Sequence, residues 1–260
     1  MDDSAKIPYH LDVIRAKLAR LRERDSRHAI FGSETHRYAL GRCSTDDQIR
    51  AVEEEYGIRF PEGYRHFLLH MGNGGAGPGY GLLTLQASVR DRRGGHLAQP
   101  FAAMFVAPPS DADEERGGAE GRDAPDDLDP LWQDSRRPDA RCEWVRDIRE
   151  RELDALSLSE DAEAEEVGTW DAEGRRPGAV EVSHYGCGIM AVLVVSGPER
   201  GTIWIDDPNS SFGCDLYPIG RGGWMGQAGW ERIAAHPEKR LDFLSWYDDW
   251  LDGALVTLDQ

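Results

Sequence analysis

Long apolar runs are missing. The longest stretch of consecutive aliphatic residues runs from Ile189 to Val195, seven residues, whereas a bilayer-spanning helix needs about 20. An integral membrane helix is therefore excluded. The opening stretch, MDDSAKIPYHLDVIRAKLAR, has neither an apolar segment nor a cleavage-site pattern. It does not read as a secretory leader, and the expected location is cytoplasmic. Cysteine is scarce. Cys43, Cys142, Cys187 and Cys214 are far apart and form no C-x-x-C pair, so they read as reduced thiols, not as a zinc ribbon. Lysine is scarcer still: three of the 30 basic residues are lysine, a skew that fits a GC-rich coding sequence. Cations as a class fall short of the 48 acids, leaving a net charge of −18. Nucleic acid and anionic membranes are excluded as partners on that ground, because phosphate binding relies on lysine and arginine. A basic protein would be attracted.

What is present suffices for a folded core. The chain has 260 residues, of which 40% are apolar, 9% aromatic and 30% charged. That is long enough to fold without cross-links, as one large domain or two small ones. Residues 10–24 carry Leu11, Ile14, Leu18 and Leu21 on one helical stripe. Residues 25–43 give no pattern. Thr45 and Gln48 fit a capping box opening a second helix, with Ile49, Val52 and Tyr56 on its face and Gly57 to end it. Pro61 suits the first turn of a third helix with the stripe Tyr64, Phe67, Leu68 and Met71. The stretch GNGGAGPGYG at 72–81 reads as a flexible loop, followed by a short strand at Leu82–Leu85 and an apolar segment at Phe101–Ala107.

Two acidic segments follow. Residues 111–129 hold nine acids and two arginines, and residues 150–166 hold eight acids and one arginine. The first, broken by glycine and proline, reads as a mobile loop. From 179 the pattern changes. Ala179–Ser183, Met190–Val195, Thr202–Ile205 and Cys214–Pro218 are short strand candidates, with turn signals at His184–Gly188, Ser196–Gly201 and Asp206–Gly213. A helix at about 238–252 closes the chain, its aromatic face including Trp246 and Trp250, with Gly253 as its stop. Helices, then strands, then a helix predict an α+β fold: an antiparallel or mixed central sheet with helices against it and an acidic loop insertion. The expected division is an N-terminal helical extension at 1–43 and a domain at 44–260 with the insertion at about 108–170.

Several motifs invite a chemical reading. Gly72-Asn73-Gly74-Gly75-Ala76-Gly77 satisfies G-x-G-x-x-G, but it follows a helix and opens a strand, so it lacks the helix N-terminus a phosphate needs. His66 and His70 have metal-ligand spacing on a helix, without the glutamate of H-E-x-x-H, and read as boundary residues. Cys187 and His184 form a nominal thiol pair with no oxyanion hole or third group. Asp206 and Asp207 could hold a hard cation at a strand end, but they read first as a turn with its own caps and next as carboxylates that dock arginines beside an exposed Trp204. Trp224 and Trp230, in GRGGWMGQAGW, either rim a binding surface or cover the sheet edge. No P-loop, G-x-S-x-G or kinase motif is present.

Three stretches together resemble one family. IRAVEEEYGIRFPEGYRHFLLHMGNGG at 49–75, YGCGIMAVLVVSGPERGTIWIDD at 185–207 and LDFLSWYDDWL at 241–251 are similar, in that order, to the helical signature, glycine turn with Trp-bearing strand, and closing aromatic helix of the SMI1/KNR4 family (SUKH superfamily). The N-terminal helix, the acidic middle and Phe60 in place of a leucine depart from it. The resemblance implies a non-enzymatic α+β binding domain, of a family whose bacterial members include immunity proteins against secreted toxins, often nucleases, and whose fungal members are regulatory scaffolds. The expectation is an immunity protein that occludes a basic toxin domain, with no cofactor, metal or catalytic residue. Its expected contact residues are Trp204, Asp206, Asp207, Trp224, Asp123, Asp126 and Asp127. The alternatives are a scaffold without a toxin and, last, an enzyme using Cys187 or the Asp206 and Asp207 pair.

Overall fold

The computed structural model describes residues 6–89, 96–101, 176–207, 216–222, 233 and 236–259. Within them the architecture is α+β: helices come first, a four-stranded antiparallel sheet next, and a long helix last. The expected insertion at 108–170 lies outside the described residues. Helix α1, Ile7–Arg24, has proline in its first turn and Arg22 and Arg24 in its last, where cations favour the negative end of the helix dipole. Its stripe of Leu11, Ile14, Leu18 and Leu21 is buried in the main core, as the periodicity predicts. The segment without a pattern contains a single helical turn, α2 at Ser33–His36.

Helix α3, Asp46–Tyr56, begins with the predicted capping box and ends on Gly57 in the left-handed conformation (φ 66). Helix α4, Glu62–His70, follows after Pro61, which sits one residue before the first turn. Tyr64, Phe67 and Leu68 are buried, while Met71 is only partly so. The sharp turn between the two helices is fixed by Glu53, which periodicity does not single out. Its carboxylate is buried, and it accepts the Phe60 N–H and an Arg59 guanidinium N–H, each at 2.9 Å. A buried carboxylate is tolerated only with such donors.

The sheet is a meander of β1 (Ala179–Gly186), β2 (Ile189–Val194), β3 (Ile203–Asp206) and β4 (Leu216–Pro218), paired in chain order. Strand β1 continues through the expected turn at His184. Only Cys187 (φ 52) and Gly188 (φ 83) turn the chain, the left-handed pair that suits a two-residue hairpin of type I′. Both faces of the sheet are buried. Val180, Val182, Ala191, Leu193, Ile203 and Ile205 face the helices, whereas Ala179, Val192, Val194, Trp204 and Leu216 gather with Phe101 on the other side. Burial on both faces explains why residues 189–195 form an uninterrupted apolar run.

The glycine stretch is packed, contrary to the flexible loop expected. Leu40, Gly75, Leu82 and Ser183 form successive single-residue antiparallel bridges, which continue the sheet beyond β1. A Cβ at Gly75 would lie 2.3 Å from the Ala39 carbonyl oxygen, and one at Gly72 would lie 2.7 Å from that of Gly41. Glycine is required here by backbone approach, not by mobility. Nor is Leu82–Leu85 a strand. Thr84 caps a short helix, α5 at Leu85–Ser88, and the Asn73 side-chain oxygen accepts the Leu85 N–H at 2.6 Å. These local side-chain bonds replace a strand ladder.

The closing helix α6, Phe243–Thr257, starts later and ends later than its sequence pattern indicates. Leu241 pairs through its backbone with Ile203 and Ile219, and Asp242 caps the helix by accepting the Ser245 N–H at 2.7 Å. Gly253 does not stop it: a Cβ there would meet nothing within 4 Å, so the position is an open helix surface that costs about 1 kcal/mol in propensity. Helix α6 packs on α1 and α4, and Lys17 lies 2.8 Å from Asp248 and 2.7 Å from Asp252.

These contacts rank two substitutions. Glu53→Ala strands a buried backbone N–H and is expected to cost about 2–4 kcal/mol, whereas Thr45→Ala removes one exposed cap and costs about 1 kcal/mol. Urea unfolding of the two variants measures the difference. Equal losses would mean that Glu53 does not hold the turn.

Candidate functional site

Tyr9, Phe31, Tyr80 and Val256 are the large apolar side chains exposed among the described residues. Three of them gather in one place. Phe31 and Val256 line an open cleft of about 570 Å³, and the Tyr80 ring packs on Phe31 with centroids 5.2 Å apart. The floor consists of Ile205 and Ile219 from the sheet side and Trp246 from α6. Trp250 and Ala254 of α6 form one wall, and Ile30, Phe31, Pro78 and Gly79 form the other. The charged residues lining it are Asp249 and Asp252, both acids. Exposed aromatic clusters beside a concave apolar surface are characteristic of interaction sites.

Three local devices build this wall. The first is Asp25, 2% exposed, at the end of α1. Its carboxylate accepts the Ala29 N–H at 2.7 Å, the Ile30 N–H at 3.1 Å, the Ser33 hydroxyl at 3.3 Å and the Tyr38 hydroxyl at 2.5 Å. The loop carrying Ile30 and Phe31 is thus wound around one carboxylate. Burial pushes the Asp25 carboxyl up, but these four donors outweigh it and hold it below its usual value. The second is close backbone approach: a Cβ at Gly32 (φ 75) would lie 1.8 Å from the Gly79 carbonyl oxygen. The third is Gly186, whose bare Cα lets the Tyr80 ring lie on the hairpin (3.2 Å from a would-be Cβ), with the His184 ring tilted against it at 5.7 Å.

Helix α6 is tied to the same frame. The Tyr247 hydroxyl donates to the Ala76 carbonyl at 2.8 Å, anchoring the helix to the glycine segment. Burial raises the Tyr247 phenol far above its usual value. Burial also raises that of Tyr185, against a hydrogen bond from Trp246. Both stay protonated. His36 is buried behind the wall, with its ring edge-on to Trp250, and its Nδ1 accepts the Tyr38 N–H at 3.0 Å. Burial lowers its pKa from the ordinary 6.5, as does the neighbouring His28, while the Gly77 backbone works against them.

Of the residues expected to contact a partner, the described ones, Trp204, Asp206 and Asp207, do not line this cleft. Trp204 is 1% exposed, packed against Phe101 and under the Arg240 guanidinium. Asp206 takes two hydrogen bonds from the buried Arg176, at 3.1 and 3.0 Å, and Asp207 is buried too. The exposed tryptophan beside two available carboxylates is therefore corrected to an internal ion pair with a core tryptophan. Trp224, Asp123, Asp126 and Asp127 lie outside the described residues. Cys187 is exposed at the hairpin tip, while the His184 ring packs tilted against Tyr80. His66 and His70 lie 5.6 Å apart on the surface of α4, and no group of three or more metal-ligating side chains occurs among the described residues. Asp25, Phe31 and Tyr80 were not singled out from sequence. An aspartate just after a helical stripe was the one available signal for Asp25.

The two perturbed groups behind the wall act in the same direction. A histidine with a lowered folded pKa, like a carboxylate with a lowered one, contributes stability at higher pH and loses it on acidification. Stability is expected to fall first as the pH drops below about 6.5, through His36, and again below the ordinary carboxylate range, through Asp25. Urea midpoints across that range, with exchange rates of the Ala29 and Ile30 amides, measure it. His36→Gln removes the first step and Asp25→Asn the second; a profile unchanged by both would refute the assignment.

No helix among the described residues is long and apolar enough to cross a membrane. No curated protein and no solved structure matches the chain. A family model does match, over residues 43–217, a span that takes in the α3–α4 turn, Gly75, Leu82 and Ser183 of the bridges, and the meander up to Tyr217. Covering more than half of the sequence, it shows that the chain belongs to the SMI1 / KNR4 family (SUKH-1).

Proposed function

We propose that this chain is a binding protein that transforms no substrate, and specifically a cytoplasmic immunity protein that neutralises a basic toxin domain by covering it. Family membership supports the general part, since the family includes immunity proteins. The observation that carries the reading is the exposed aromatic ridge of Phe31 and Tyr80 beside an open apolar cleft. Exposed rings on a braced frame bury large area at small entropic cost.

Charge supplies the rest. With a net −18, the chain attracts a cationic partner, and a nuclease, whose cleft must hold phosphates, is such a partner. Residues 111–129 and 150–166, which include Asp123, Asp126 and Asp127, carry most of that excess. Their part is steering: they accelerate encounter, while the apolar contacts hold the complex. Trp204, Asp206 and Asp207 then act as support for the sheet.

Co-expression with toxin domains encoded beside this gene, scored as rescue of growth, tests the reading. One cationic toxin domain is expected to be neutralised and to co-purify. Its association rate should fall at least tenfold as salt shortens the screening length from about 30 to about 8 Å. Neutralising the acids of both segments should remove that salt dependence and leave dissociation nearly unchanged. Weak capture of several housekeeping proteins, with no toxin rescued, would favour the scaffold reading.

A further inference from the structure

We propose that His36 is a proton-operated latch on the loop that presents Phe31: it holds the aromatic ridge in place while its Nδ1 is unprotonated and releases it when that nitrogen takes a proton. This rests on the binding reading above and adds the regulation of the same surface. Arg37 (φ 48) and Tyr38 (φ 58) are consecutive left-handed residues, and neither is glycine. Such a pair is strained and persists only where its surroundings hold it. Two bonds hold it here. The His36 Nδ1 accepts the Tyr38 N–H at 3.0 Å, and the Tyr38 hydroxyl donates to Asp25 at 2.5 Å. Asp25 is also the carboxylate that takes the Ala29 and Ile30 N–H groups and the Ser33 hydroxyl. The turn at 36–38 and the wall that carries Phe31 therefore share one support.

Because Nδ1 accepts, Nε2 carries the ring hydrogen. Among the described residues Nε2 is buried without a hydrogen bond of ordinary geometry, and the Gly77 backbone supports it in part. A second proton must go to Nδ1, where it meets the Tyr38 N–H head-on. The bond becomes a repulsion between two donors, and an imidazolium is left in a largely apolar site. The groups around the ring do not rescue it. Its own loop sets Tyr38 and His28 near it, while Glu34 and Arg37 are exposed. His28 opposes a positive charge, and Asp25, at the end of α1, reaches the ring through Tyr38. The glycine segment contributes Gly81 and Gly77, which bear no charge. Helix α6 sets the Trp250 indole against the ring, with centroids 6.0 Å apart. Its Asp248 and Asp252 pair with Lys17, and its Asp249 accepts the Gly222 N–H. The imidazolium is thus favoured with the loop open, where water solvates it.

Amide exchange of the full chain by NMR, corrected for the intrinsic pH dependence of each amide, tests the latch. An open loop whose histidine titrates near the ordinary 6.5 gains about tenfold in population from about pH 7.5 to about pH 5.5. Protection of the Ala29, Ile30 and Tyr38 amides should fall by that factor. Sub-denaturing urea should leave their exchange unchanged, which is the mark of local opening. His36→Gln keeps an acceptor and a donor but does not titrate, so it should abolish the fall. Tyr38→Phe removes the bond to Asp25 and leaves the histidine. It should raise opening at every pH and keep the pH dependence. Protection of the Val194 amide, which bonds to the Thr202 carbonyl, confirms that both variants are folded. Loop amides that exchange only together with Val194, with the same urea dependence, would overturn the proposal, since the opening would then be global. So would a fall that persists in His36→Gln. For a toxin domain neutralised by this chain, dissociation should quicken about threefold or more over the same pH range in wild type relative to His36→Gln. Equal rates would overturn the regulation while leaving the proposed function intact. A chain that rescues no toxin would sink the proposed function, and the exchange result, positive or negative, would still decide the latch.

Discussion

The fold depends on four stretches of backbone lying closer than side chains allow. Leu40, Gly75, Leu82 and Ser183 bridge one after another, and the glycines among them admit contacts that a Cβ would block outright. At Gly75 a Cβ would sit 2.3 Å from one carbonyl oxygen, and at Gly81 2.4 Å from another. Because these contacts hold, the glycine segment becomes part of the sheet. The Ala76 carbonyl is then positioned to receive Tyr247, and Tyr80 projects over Gly186. The loop after α1 is positioned by the same contacts, through Gly32 against Gly79. Removing them would release the loop, the hairpin tip and the last helix together.

Two buried carboxylates do the complementary work where no regular hydrogen bonding is available. Glu53 organises the α3–α4 turn and Asp25 the loop that presents Phe31. Each satisfies backbone N–H groups that neither helix nor strand can take. The arrangement is efficient, because one desolvated charge replaces several weaker contacts, but it couples the loop to pH. Arg176 and Asp206 form a third buried charged group, a two-point ion pair. Such pairs define geometry more than they add stability.

Local patterns were readable and long-range ones were not. The stripe of α1, the Thr45 and Gln48 box, Gly57 and the four strands of the meander followed from periodicity and turn chemistry, because their causes lie within a few residues. The Asp25 bonds to Tyr38, the Asn73 bond to Leu85 and the packing of the glycines have no local signature. The same glycines that mark mobility in an isolated chain mark close packing here, and sequence spacing does not distinguish the two. Asp206 illustrates the matching error. Adjacent acids at a strand end look like an exposed turn, yet the decisive neighbour is Arg176, thirty residues away.

The matched range has a consequence for the cleft. Residues 43–217 contain most of the frame: the α3–α4 pair, Gly75, Leu82 and Ser183 of the bridges, and nearly all of the sheet. Much of the cleft falls outside that range, namely Phe31 on the Asp25 loop and Trp246, Asp249, Trp250 and Val256 on α6, whereas Tyr80, Pro78 and Ile205 lie inside it. A frame held by close backbone contacts is intolerant of change at its glycines, where any substitution adds a Cβ that does not fit. An exposed rim is tolerant, since Phe31 and Val256 contact solvent and their replacement disturbs no core. Recognition can therefore be retuned at the rim while the bridges and the buried carboxylates remain untouched, and membership in a family then specifies how the surface is held without specifying what it meets.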